Sequence, residues 1–228
     1  MSKENLHKAH RLRLKERFLR QGLDGFEDHL VLELLLFYAI PRIDVNELAH
    51  TLLDRFRSLH GVLDAPPEEL KKVPGVGQNA ALLLKLIPQL GRRYLLSQYA
   101  KKDVVLQDSA QAGRYLIPFF QSERDEIVYV LCLNSKNKVL SCEPMFKGDL
   151  NAAQVSIRKI VELVLKENAA SVILAHNHPG GSPEPSKEDI LLTADITKAL
   201  QAVDITLRDH IIVSGTDFVS LYQSGIIA

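Results

Sequence analysis

Apolar positions recur at helical spacing through residues 4–97, interrupted by short breaks. Leu14 and Phe18 stand four apart, which puts them on one face of an N-terminal helix. "FEDHLVLELLLFYA" (26–39) is more continuously apolar and predicts a buried helix that Pro41 stops. "DVNELAHTLLDRF" (44–56) resumes the pattern with an Asp near its start. "PPEELKK" predicts a short helix opened by proline, "VPGVG" a tight turn, and "QNAALLLKLIPQLGRRYLL" a further helix bent near Pro88.

The texture changes near residue 100, where "SQYAKKDVVLQD" reads as a polar linker. Beyond it β-branched runs appear. "EIVYVLCL" (126–133) and "KVLSCEPMF" (138–146) flank "NSKN" and predict a β-hairpin. An amphipathic helix is expected over 151–169, a short buried strand over 171–175, a helix over 186–203 and a strand over 205–215. Strands interleaved with helices predict an α/β layer fold for 101–228, after a helical domain over 1–100.

A chain of 228 residues, 46% hydrophobic and 25% charged, is in the range of soluble globular proteins with two domains. There is no apolar run of about 18 residues to span a membrane. The N-terminus lacks the apolar core of a secretory signal, so a cytoplasmic protein without a membrane partner is expected. Cys132 and Cys142 sit in strand-like text and read as small buried hydrophobes. Net charge is zero, but residues 1–102 carry 17 basic against 12 acidic side chains. The first 20 residues alone carry 7 against 2, which suits either a helix facing phosphates or a solvated helical face.

The chemistry concentrates in "ILAHNHPGGSPEPSKEDI" (173–190). Side chains alternate along a strand, so His176 and His178 project to one side with Asn177 opposite. Two aligned imidazoles suit zinc, and a catalytic zinc takes three protein ligands and leaves one position open. Across the Gly/Pro turn, Asp189 in the first turn of the next helix supplies a third ligand. Ser186 and Asp189 also match a helix-capping pattern, and Ser186 can both cap the helix and face the metal's water. Asp209, in "RDH", is a candidate to receive a ligand histidine's second N–H.

H-x-H-P followed by S-x-x-D resembles the metal motif of the JAMM (MPN+/JAB) metallopeptidases, and "HNHPGG.PEPS..D" resembles their RadC branch. "LELLLFYAIPRIDV", "VPGVG", "RDHIIV" and "FVSLYQSGII" extend the resemblance over nearly the whole chain. It implies a mixed sheet between helices, similar to cytidine deaminases, and one Zn2+ held by His176, His178 and Asp189. It also implies an oxyanion-side role for Ser186 and a general-base role for a strand glutamate, here Glu143, five residues before Gly148. The family's V-H-P-R-E text is here "VSIRKI": Val155, Arg158 and Ile160 fit, whereas Ser156, Ile157 and Lys159 do not.

"LKKVPGVGQNAALLL" has the form of a helix–hairpin–helix. Gly75 and Gly77 let the backbone turn tightly and present N–H groups, with Lys71, Lys72 and Lys85 near in sequence. The motif suits non-specific DNA contact or a compact packing turn. The leading functional expectation is a zinc metallohydrolase that cleaves a peptide or isopeptide bond of a protein substrate. The alternative is a DNA-binding module of repair or recombination with a structural or vestigial metal. A zinc deaminase would need H-x-E and a downstream C-x-x-C, and neither occurs.

Overall fold

The computed structural model describes residues 3–98, 103–121, 123–148 and 155–227. The chain divides into two compact units, Met1–Gly91 and Arg92–Ala228. Among the described residues no helix is long and apolar enough to cross a membrane.

The first unit is helical: α1 (Lys3–Gln21), α2 (Asp28–Ala39), α3 (Asn46–Phe56), α4 (Leu59–Asp64), α5 (Pro67–Lys71) and the start of α6 (Gln78–Ser97). Its core gathers Leu14, Leu32, Leu36, Leu52, Leu70 and Leu84. Leu14 is buried as expected, but Phe18 is exposed; only one of the pair reaches the core. The fully buried Glu33 is met by His10 Nε2 at 2.8 Å and by the Asn46 side-chain amide at 3.4 Å. Arg11 donates to the carbonyls of Phe37, Ile40 and Ile43, satisfying the end of α2 that Pro41 cuts off.

The second unit holds a five-stranded sheet in the order β2-β1-β3-β4-β5. The strands are β1 (Ile127–Leu133), β2 (Val139–Lys147), β3 (Ser171–Asn177), β4 (Thr206–Ser214) and β5 (Asp217–Ser220). β3 and β4 are parallel and the other neighbours antiparallel, which makes the sheet mixed. The β1–β2 hairpin turns at Asn134–Asn137, with Asn137 at φ 59°.

Both faces of the sheet are covered, so β1 is buried along its whole length. Val128, Val130 and Cys132 face a core shared with α8 (Ile157–Lys166) and α9 (Lys187–Gln201). Ile127, Tyr129 and Leu131 face α7 (Ser109–Phe120). The helix expected over 151–169 is shorter: residues 151–154 lie outside the described residues, and α8 starts after Ser156, whose Oγ accepts from Lys159 N. Ser156 thus caps the helix at a position where the sequence departs from the family pattern. α7 is a helix that hydropathy patterning overlooked. Cys132 is buried, Cys142 is half-buried, and burial pushes both thiols up.

Candidate metal centre

β3 runs two residues longer than its apolar text and ends on Asn177. His176 therefore projects to the α9 side of the sheet, the side of Val172 and Leu174. His178 follows on the turn leading to α9. That helix opens on a complete capping box: Ser186 Oγ accepts from Asp189 N, and the Asp189 carboxylate accepts from Ser186 N at 2.8 Å. The cap fixes the Asp189 carboxylate in the first turn, where the helix dipole favours negative charge.

These elements bring three predicted ligands together. His176 Nε2 and His178 Nε2 are 2.9 Å apart. Asp189 Oδ1 lies 3.2 Å from the first, and Oδ2 lies 3.4 Å from the second. Ligand atoms held 2.0–2.1 Å from one tetrahedral zinc would stand about 3.3 Å apart, close to these edges. Among the described residues this is the one group of three or more His, Cys, Asp or Glu side chains able to hold a metal ion.

The hydrogen bonds around the site decide its tautomers. Thr193 Oγ1 is 2.5 Å from Asp189 O, and a carbonyl only accepts, so the hydroxyl proton points there. Thr193 Oγ1 must then accept from His210 Nδ1 at 2.6 Å. His210 Nε2 is left as an acceptor and takes the Nδ1–H of His176 at 2.8 Å. On the other ligand, His178 Nδ1 donates to Ser182 O at 2.8 Å. Both ligand imidazoles are thereby turned with an Nε2 lone pair toward the same point and toward a carboxylate. Such a set attracts a proton or a metal ion.

Electrostatics agree. Burial would push the Asp189 carboxyl up, but in the metal-free chain a proton shared onto the Nε2 atoms of His176 and His178, together with the Ser186 hydroxyl, holds it well below the usual carboxylate range. The Asp189 carboxylate raises the pKa of His178 against its partial burial, and Glu126 adds to that. Complete burial drives His210 far below the usual imidazole value, which keeps it neutral as the relay requires.

A cleft of about 470 Å³ opens on the site, lined by Glu126, His178, Gly181, Ser182, Ser186 and Asp189 among others. A profile for the RadC-like JAB domain matches residues 106–226, which span this sheet, the cleft and all three ligands. UPF0758 protein FN0909 of Fusobacterium nucleatum is 35% identical over 98% of this chain and 99% of its own length. UPF0758 protein PSHAa2643 of Pseudoalteromonas translucida is 35% identical over 94% of this chain and 96% of its own. The chain belongs to the RadC family.

In this RadC-family chain the expected site residues are unevenly placed. Ser186 reaches the cleft, its Oγ donating to Asp189 Oδ2 at 2.6 Å. Glu143 does not line it. In register, His176 pairs with Val128 and Glu143 with Val130, so Glu143 stands two strands over and further down the sheet. Strand spacings put their backbones on the order of 12 Å apart. The glutamate lining the cleft near the ligands is Glu126, just before β1. Asp209 is not the ligand's support either: its carboxylate accepts from Ser220 Oγ and Tyr222 N, and His210 holds His176 instead. A register irregularity opposite Val172–Ile173 explains the change. Before it, Ile205 and Leu207 face the α8/α9 core; after it, Ile211 and Val213 face α7, so His210 gains the site's face.

In the helical unit, Gly75 has φ +95°, and a Cβ added at Gly77 would meet nothing within 4 Å. The lysines beside that turn are engaged. Lys71 pairs with Glu68 at 2.7 Å, Lys72 pairs with Glu69, and Lys85 donates to Leu63 O at 2.7 Å.

Proposed function

We propose that this RadC-family protein is a zinc-dependent hydrolase that cleaves a peptide or isopeptide bond in a cytoplasmic protein substrate. The observation that carries the reading is the pair of Nε2 lone pairs fixed on one point beside Asp189, at the floor of an open cleft. His176, His178 and Asp189 would hold the ion. When bound, zinc supplies Lewis acidity that lowers the pKa of water to about 7.

The chain's own residues supply the rest. Glu126, on the cleft wall, takes the proton of the attacking water and returns it to the leaving amine. Ser186 Oγ, at the start of α9 on the cleft wall, turns its one proton from Asp189 Oδ2 to the oxyanion that develops on the carbonyl. The His210–Thr193 relay holds His176 in the tautomer that keeps Nε2 free. The alternative of a DNA module has weaker support, because Lys71 and Lys72 beside the Gly75–Gly77 turn are already paired with glutamates.

The test is a pair of variants assayed on a proteome-derived peptide library, with new N-termini counted by mass spectrometry. Assayed at saturating zinc, Glu126→Gln loses on the order of 10²–10⁴-fold in cleavage, while Glu143→Gln keeps most of it. Loss with Glu143→Gln and retention with Glu126→Gln would return the base role to Glu143. An inactive wild-type chain carrying full zinc would contradict the hydrolase reading.

A further inference from the structure

Between the two ligand histidines stands Asn177, which the metal does not use. Its side chain points to the opposite side of β3 and is buried, with 4% of its surface exposed. Its Oδ1 accepts from Ile127 N at 2.8 Å, and its Nδ2 donates to Asp125 O at 3.1 Å. One carboxamide thus grips the backbone on both sides of Glu126.

The location explains the need. The β1–β3 ladder ends at the pair Val128–His176, so beyond it β1 has no backbone partner on β3. Asn177 continues the ladder with its side chain for one more step. On the β2 side, Gly148 N donates to Glu126 O at 2.9 Å. Glu126 is therefore held from both neighbouring strands at the point where its carboxylate enters the cleft. Only a group that donates and accepts at once can make both Asn177 contacts; a carboxylate or an aliphatic side chain cannot.

We infer that Asn177 is a positioning residue, holding the Glu126 carboxylate against the metal cleft through the backbone of residues 125–127. The inference rests on the metal reading above and extends it to a residue that touches neither metal nor substrate. The H-x-H spacing then has a second use: the two outer residues bind the ion, and the middle one aligns the acid.

The test is a double-mutant cycle on the full chain, read as the zinc dissociation constant by chelator competition. Removing a nearby, partly solvated carboxylate with Glu126→Gln weakens zinc about three- to tenfold. Asn177→Ala weakens zinc by a similar factor in the wild-type background and by less than about twofold in the Glu126→Gln background. An equal loss in both backgrounds, or no loss in wild type, overturns the inference. Hydrogen exchange gives a readout independent of metal: the Ile127 amide exchanges at least about tenfold faster in Asn177→Ala, while Val130 in mid-strand is unchanged. An unchanged Ile127 amide also overturns it. If Asn177→Ala does not fold, Asn177→Ser, which can keep one of the two bonds, is taken through the same cycle with the same criteria. A wild-type chain that binds no zinc sinks the metal reading and this inference together; zinc binding with additive losses sinks the inference alone.

Discussion

His210 and Asp209 are adjacent on β4, both buried, and opposite in consequence. His210→Ala removes the acceptor of the His176 Nδ1–H inside the protein, so zinc affinity falls on the order of 10–100-fold. Asp209→Asn leaves zinc affinity within about twofold but lowers stability, because the carboxylate organises Ser220 and the start of the C-terminal turn. Chelator competition and urea unfolding on the two variants separate these effects; the reverse assignment would restore Asp209 as the ligand's support. The grouping of His176, His178 and Asp189 was legible because its geometry is local: a spacing of two at a strand end and of three across a helix cap brings the three side chains together. His210, Thr193 and Glu126 were not legible. Glu126 and His210 reach the site through strand pairing between segments far apart in sequence, Thr193 meets His210 only where α9 packs on β4, and a one-residue irregularity in β4 reverses which side each of its residues faces.

At the scale of elements, the hairpin, β3, α9 and β4 follow from alternation and turn chemistry. α7 does not follow so readily, although Asp108 accepts from Gln111 N at 2.7 Å as an N-cap and Ala112, Leu116 and Phe120 recur at helical spacing. A polar stretch ahead of it and Pro118 within it hide that periodicity. Gly113 shows how closely the helix fits: a Cβ there would meet the Phe218 ring at 2.4 Å. Leu116 on this helix is fully buried. Leu116→Ala therefore destabilises the protein by about 2–5 kcal/mol, measured by denaturant unfolding, without changing zinc affinity. A cost below about 1 kcal/mol would mean that α7 is not part of the core as described.

For the molecule as a whole, the site sits where an α/β sheet gathers function. The carboxyl end of β3, which runs parallel to β4, meets the N-terminus of α9, and the cleft opens at that end. The chain's charges balance at 28 basic and 28 acidic, so attraction of a cation there comes from local arrangement rather than net charge. Metal content after exhaustive dialysis reports whether His176, His178 and Asp189 form one zinc site. The wild-type chain should retain about one zinc, and the His176→Ala/His178→Ala double variant, folded by circular dichroism, should retain almost none. Tightly held zinc at the wild-type level in that double variant would mean that the ion is held elsewhere and that these histidines are not its ligands.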